Sequence, residues 1–175
     1  IISSFRPNFY LNYFNDKNLD FYNKSLVWIM SYCKINKIKL LILPWSTLHD
    51  YNKNHLELEK KYYKRVLGNN EFKIMKKNKF DDSYKLSSKY NYFISFNSTM
   101  AYELLSRNYK VAILRKAETK KIKKNLNSNA KINFIDSLTA IKLKGYFWTS
   151  YFTRKEIFRV LDNIYRVNNK KNYFI

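Results

Sequence analysis

Short apolar runs alternate along this chain with longer stretches of helical spacing, and that order constrains the fold more than any other feature of the sequence. The runs fall near 1–4, 39–43, 71–75, 91–96, 110–114 and 132–135. Connections of this kind are long enough to return a chain over a sheet, which parallel pairing requires. The pattern predicts an α/β fold, a Rossmann-like parallel sheet of about six strands with helices on both faces.

The helical segments carry their own start and stop signals. A helix over about 20–36 places Phe21, Leu26, Ile29, Met30 and Cys33 on one apolar face, with Asn36 able to end it in the left-handed conformation. A second, about 55–67, has Glu57 and Glu59 early, Lys64 and Arg65 late and Gly68 as its stop, in agreement with the helix dipole. The last, about 153–167, opens on Thr153 with Glu156 three residues on, a capping box, and repeats Ile157, Val160, Leu161 and Ile164. No internal repeat or Gly-, Pro- or Ser-rich linker interrupts the sequence, so residues 1–175 read as a single domain.

Composition removes several function classes. With 46% hydrophobic and 18% aromatic residues the chain can bury a core. Gly occurs twice in all, which leaves no room for a Walker loop or a dinucleotide GxGxxG fingerprint. Neither HExxH nor GxSxG is present, and with Cys33 the only cysteine there is no internal disulfide and no zinc ligand set. No metal and no cofactor is expected. The longest apolar runs, such as Leu40–Leu43, fall far short of the roughly 20 residues of a membrane span, so the chain reads as soluble or peripheral. It opens on Ile1, and a piece of a longer polypeptide is the expectation.

The net charge of +21 has two readings. Abundant Lys, Asn, Ile, Tyr and Phe are the drift that A- and T-rich codons produce, and the alternative is selection for an anionic partner. Arg115, Lys116, Lys120 and Lys121, directly after the fifth expected strand, would suit an anion or simply be solvated.

Chemistry concentrates between Asn91 and Arg107. Here an apolar strand ends in the polar turn Asn97-Ser98-Thr99 and passes straight into a helix. Open parallel sheets bind ligands beyond the carboxyl ends of their strands, where helix N-termini offer unpaired N–H groups to anions. Asn97, Ser98 and Thr99 add amide and hydroxyl groups, a suitable phosphate cradle. Glu103, four residues after Thr99, lies on the same helix face and can accept hydrogen bonds from sugar hydroxyls. The plainer reading makes Ser98 or Thr99 an ordinary helix cap and Glu103 a solvated residue.

The strand ending in Ser98-Thr99, then Tyr102-Glu103-Leu104-Leu105, a short break and the strand Lys110–Leu114 resembles the donor-binding half of GT-B glycosyltransferases. More narrowly it resembles surface carbohydrate biosynthesis proteins and retaining Kdo transferases. Ser3-Ser4-Phe5-Arg6-Pro7 is similar to the loop that opens the C-terminal half in that family, while Tyr62-Tyr63, Ser83-Tyr84 and Gly145–Thr149 look like further landmarks. Asn108 stands where relatives have Gly, and Asn is the next-best left-handed helix end.

The resemblance implies a bacterial surface-polysaccharide transferase, for lipopolysaccharide or capsule, of which this chain is the C-terminal half. Ser98, Thr99 and Asn97 then become donor-phosphate ligands, Glu103 a ribose ligand, and Ser4 and Arg6 further donor contacts. It also implies a nucleotide-sugar donor, a glycan or glycolipid acceptor, an N-terminal acceptor-binding domain, and work in the cytoplasm, peripheral to the inner face of the membrane. CMP-sugar enzymes of this kind often place a His-Pro pair where Leu43-Pro44-Trp45 stands, with His49 as the nearest substitute, so the donor stays open. The catalytic group would come from the other half. Two alternatives stand beside this reading: a CDP-glycerol-type phosphotransferase on the same fold, and a basic nucleic-acid-binding module, against which the aromatics fall at core spacing.

Overall fold

A computed structural model describes residues 1–5, 20–45, 47, 54–79, 81–96, 98–115 and 144–166. In chain order its elements are α1 (Asp20–Ile35), β1 (Leu40–Ile42), α2 (Asn54–Leu67), β2 (Phe72–Ile74), α3 (Asp82–Ser87), β3 (Tyr92–Ser95), α4 (Thr99–Ser106), β4 (Lys110–Leu114), β5 (Trp148–Thr149) and α5 (Arg154–Arg166). The expected strand at 132–135 lies outside the described residues, as do Arg6, His49, Asn97, Lys116, Lys120 and Lys121.

All five strands pair in parallel, yet they form two small sheets, β1-β2 and β3-β4-β5, where one sheet of about six strands was expected. The expected first strand shrinks to Ile2, which bridges Leu43 on one side and Ser95 on the other. Its N–H donates to Ile94 O (2.8 Å), while Leu43 N–H reaches Ile1 O (2.8 Å) and Ser3 N–H reaches Leu43 O (3.0 Å). Pairing stops there because the Ser3 side chain takes over: its Oγ accepts from Phe5 N–H (3.2 Å) and from the Tyr63 hydroxyl (2.9 Å), which turns the backbone off the ladder.

Helices cover both faces, and β4 shows how. Side chains alternate across a strand. Val111 and Ile113 pack with Met100, Ala101 and Leu104 of α4, together with Ile2, Leu43 and Phe93. Ala112 and Leu114 face the other way, into a larger cluster with Leu26, Ile29, Met30 and Cys33 of α1, Tyr62 and Leu67 of α2, and the apolar stripe of α5. That stripe, Ile157, Val160, Leu161 and Ile164, is wholly buried. Its burial contributes roughly 6–12 kcal/mol before the entropy of ordering the helix, against about 1 kcal/mol for the cap. Packing, not capping, holds α5. The cap nonetheless forms, with Glu156 N–H on Thr153 Oγ1 (3.3 Å), while the Glu156 carboxylate accepts from Arg159 Nε (2.9 Å). Gly145 sits beneath Trp148, whose ring leaves no space for a side chain there, since a Cβ would meet it at 2.1 Å.

Helix ends follow the predicted chemistry at two of three places. Gly68 (φ 62°) ends α2 with its N–H on Lys64 O (2.8 Å), and Asn108 (φ 63°) ends α4 with Tyr109 N–H on Leu104 O (3.0 Å). At the end of α1 the left-handed residue is Lys37 (φ 54°), not Asn36. Ile38 N–H bonds to Cys33 O (2.8 Å) and Lys37 N–H to Lys34 O (3.2 Å), a Schellman arrangement that puts its left-handed position one residue later. Asn36 stays in the helical turn, with its side-chain amide on Tyr32 O (3.0 Å). Lys37 is exposed and loses no packing on truncation. Lys37→Gly is therefore expected to stabilise the protein by about 0.5–1 kcal/mol, the relief of left-handed strain less the added freedom of the unfolded chain. A lower midpoint in thermal unfolding would contradict this account of the turn.

Candidate functional site

Because the described strands all run in parallel, their carboxyl ends share one edge. Ile2 is level with Leu43 and Ser95, Ser95 with Ile113, and Ile113 with Trp148. Just past that line come Ser4, Trp45, Ser98, Arg115 and Ser150. Of the residues read as a binding site, Ser4, Ser98 and Thr99 fall at this edge, and Glu103 lies one turn along α4.

The β3–α4 turn has the expected strand-turn-helix form. Ser98 is extended (φ −110°, ψ 131°), as an N-cap residue is, and its carbonyl accepts from Ala101 N–H (3.1 Å). Its hydroxyl makes no capping bond. The turn is held instead by Ser95, whose Oγ accepts from Ser98 N–H (3.1 Å). No acidic residue lies in the first turn of α4, so no side chain there offsets the positive end of the helix dipole. Thr99 is exposed. The turn thus offers hydroxyls and a helix N-terminus, the groups an anion needs.

Glu103 is exposed but engaged: its carboxylate accepts a hydrogen bond from the Tyr84 hydroxyl of α3. That bond, more than burial, raises the Tyr84 pKa. The Arg107 guanidinium lies over the same ring, 5.4 Å from its centre. Ser4 is half-buried, and its Oγ is shut away from solvent without a hydrogen-bond partner among the described residues.

Two buried charged residues also stand at this edge, Lys77, which carries no sequence signal, and Glu59. Lys77 donates to Pro44 O (2.9 Å) and Trp45 O (2.7 Å), and Glu59 accepts from Trp45 N–H (3.1 Å). Glu59 is fully buried and Lys77 nearly so. Together they grip the backbone where β1 ends. A sequence signal existed for Glu59, which lies three residues after Leu56 and four before Tyr63 and so shares their buried face. Read as a charge complementing the helix dipole, it turns out to be an interior acceptor.

Cys33 supplies no nucleophile, since burial pushes its thiol up to about 11. An apolar cavity of about 220 Å³ opens at the opposite, amino edge, among Cys33, Ile38, Leu40, Tyr92, Leu161 and Tyr165. The Ser98-Thr99 turn is not among its lining residues, which are mostly apolar. Among the described residues no group of three or more His, Cys, Asp or Glu gathers to hold a metal, and no helix is long and apolar enough to cross a membrane.

Parallel strands with helices on both faces define an α/β protein, with a polar turn at the carboxyl edge. A family described as "putative O-antigen biosynthesis protein" matches residues 5–172, and the chain belongs to that family. The match agrees with the surface-polysaccharide theme of the sequence. No curated protein and no solved structure matches the chain.

Proposed function

We propose that the chain is the donor-binding half of a GT-B glycosyltransferase of O-antigen or related surface-polysaccharide biosynthesis, binding a nucleotide-activated sugar at the carboxyl edge. The donor phosphate sits at Ser98 and Thr99, with Ser4 beside it. Arg6 and Asn97 join the site through the resemblance alone. Glu103 takes a ribose hydroxyl by giving up Tyr84. An N-terminal domain supplies the acceptor site and the catalytic group, and the assembled enzyme works at the inner face of the cytoplasmic membrane on a glycan or glycolipid.

One observation carries this reading: the Ser98 hydroxyl stands at a helix N-terminus without capping it, because Ser95 already holds the turn. An ordinary cap would use that hydroxyl. Of the aromatics a nucleic-acid reading would use, Phe5, Tyr32, Tyr62, Tyr63, Phe93 and Phe96 are buried and cannot stack on bases, while Tyr92, Tyr146, Tyr151 and Tyr165 are exposed. A phosphotransferase would use the same edge, and the donor that binds separates the two.

Thermal-shift titration with CMP, CDP, UDP and GDP tests the proposal. At least one nucleotide is expected to bind. Ser98→Ala should weaken it about tenfold or more, the worth of a hydrogen bond to a charged group. Glu103→Ala should cost less, because the carboxylate must first release the Tyr84 hydroxyl. Binding insensitive to both substitutions, or no binding at all, would overturn the assignment.

A further inference from the structure

We propose that Ser150 is a further ligand of the same site, holding one end of an extended anionic ligand whose phosphate rests at Ser98. This builds on the donor-site reading and adds a residue from another part of the chain.

Ser150 follows β5 directly. Arg115 N–H donates to Thr149 O (3.1 Å), which carries the parallel pairing one residue past Leu114 and brings Ser150 to the carboxyl edge. Thr149 then fixes the turn, its Oγ1 accepting from Tyr151 N–H (3.0 Å). At the apex the Ser150 Oγ is cut off from solvent and has no hydrogen-bond partner among the described residues. An orphaned buried hydroxyl destabilises a fold, and an alanine would avoid the cost. Such groups persist where a ligand uses them.

Among the described residues two side chains are in this condition, Ser4 and Ser150. Both follow a paired residue at the carboxyl edge, on opposite sides of the β3–α4 turn. Between them lie three ladder steps, from Ile2 to Ser95, Ile113 and Trp148, a span of about 14 Å at the spacing of paired strands. A bare phosphate cannot touch both, whereas a nucleotide joined to a sugar can. Each residue is half-buried overall, and the proposal requires a χ1 step between staggered rotamers to bring its Oγ to the ligand.

The test compares wild type with Ser150→Ala and with Ser150→Cys, which keeps the shape and loses the strong donor. Melting temperature without ligand is measured alongside dissociation constants for the nucleotide that binds wild type best, its sugar conjugate and inorganic phosphate. The expected result is an unchanged or higher melting temperature, affinity for nucleotide or conjugate reduced about tenfold in both variants, and phosphate binding unaltered. Nucleotide and conjugate affinities within twofold of wild type would overturn the role of Ser150 while leaving the donor site intact. A wild type that binds no nucleotide would remove the donor site itself, and Ser150 with it.

Discussion

Replacing Glu59 by leucine is expected to cost about 1–3 kcal/mol, a large part of the roughly 5–15 kcal/mol that holds a domain of this size. The substitution keeps apolar volume in the α2 face but strips Trp45 N–H of the Glu59 carboxylate that accepts from it in the interior. Lys77→Met removes the donor from Pro44 O and Trp45 O and should cost about 1–3 kcal/mol. Because both side chains hold the Trp45 backbone, the double variant should lose less than the two single losses together. Urea unfolding of the four proteins measures all three quantities. A loss below about 1 kcal/mol for Glu59→Leu would mean that Trp45 finds another acceptor and that the grip is dispensable.

Leu104→Ala is the second large effect. Leu104 is almost fully buried in the cluster between α4 and β4, and truncation should cost about 2–5 kcal/mol, the transfer term plus the cavity left behind. This leucine anchors the helix that begins at Ser98-Thr99 without touching the turn itself. Nucleotide affinity of the folded fraction should therefore stay close to wild type while stability falls. The same truncation at Ile35, which is 64% exposed, should move stability by less than about 0.5 kcal/mol. Comparable losses at the two positions would contradict the assigned packing.

What the sequence made legible was local. β4 was placed at 110–114 and is found there, because a buried apolar run follows a left-handed stop at Asn108 and both signals lie within a few residues. Gly68, the α5 stripe and the N-cap geometry of Ser98 were readable for the same reason. The misses came from contacts between distant segments. β5 is two residues long and is a strand because β4 lies beside it. α3 has no apolar period, and its start depends on the Asp82 carboxylate accepting from Asn78 and Lys79 N–H groups (2.9 and 3.0 Å). Glu103 and Tyr84 were both noticed in the sequence, but only the fold joins two residues 19 apart. At the end of α1, Asn36 was the better left-handed residue by type, yet the hydrogen-bond ring of the Schellman turn selected Lys37 by position. Family membership supports the surface-polysaccharide theme, while the assignment of the turn rests on its own geometry.

The bridging position of Ile2 bears on how the protein comes apart. Among the described residues the β1-β2 pair and the β3-β4-β5 trio are spliced through Ile2 and the few amide bonds around it. With backbone pairing so sparse there, cohesion between the sheets rests on the apolar clusters that span both. Since the splice meets β3 at Ser95, whose side chain also sets the Ser98 turn, a ligand that tightens the turn also braces the seam.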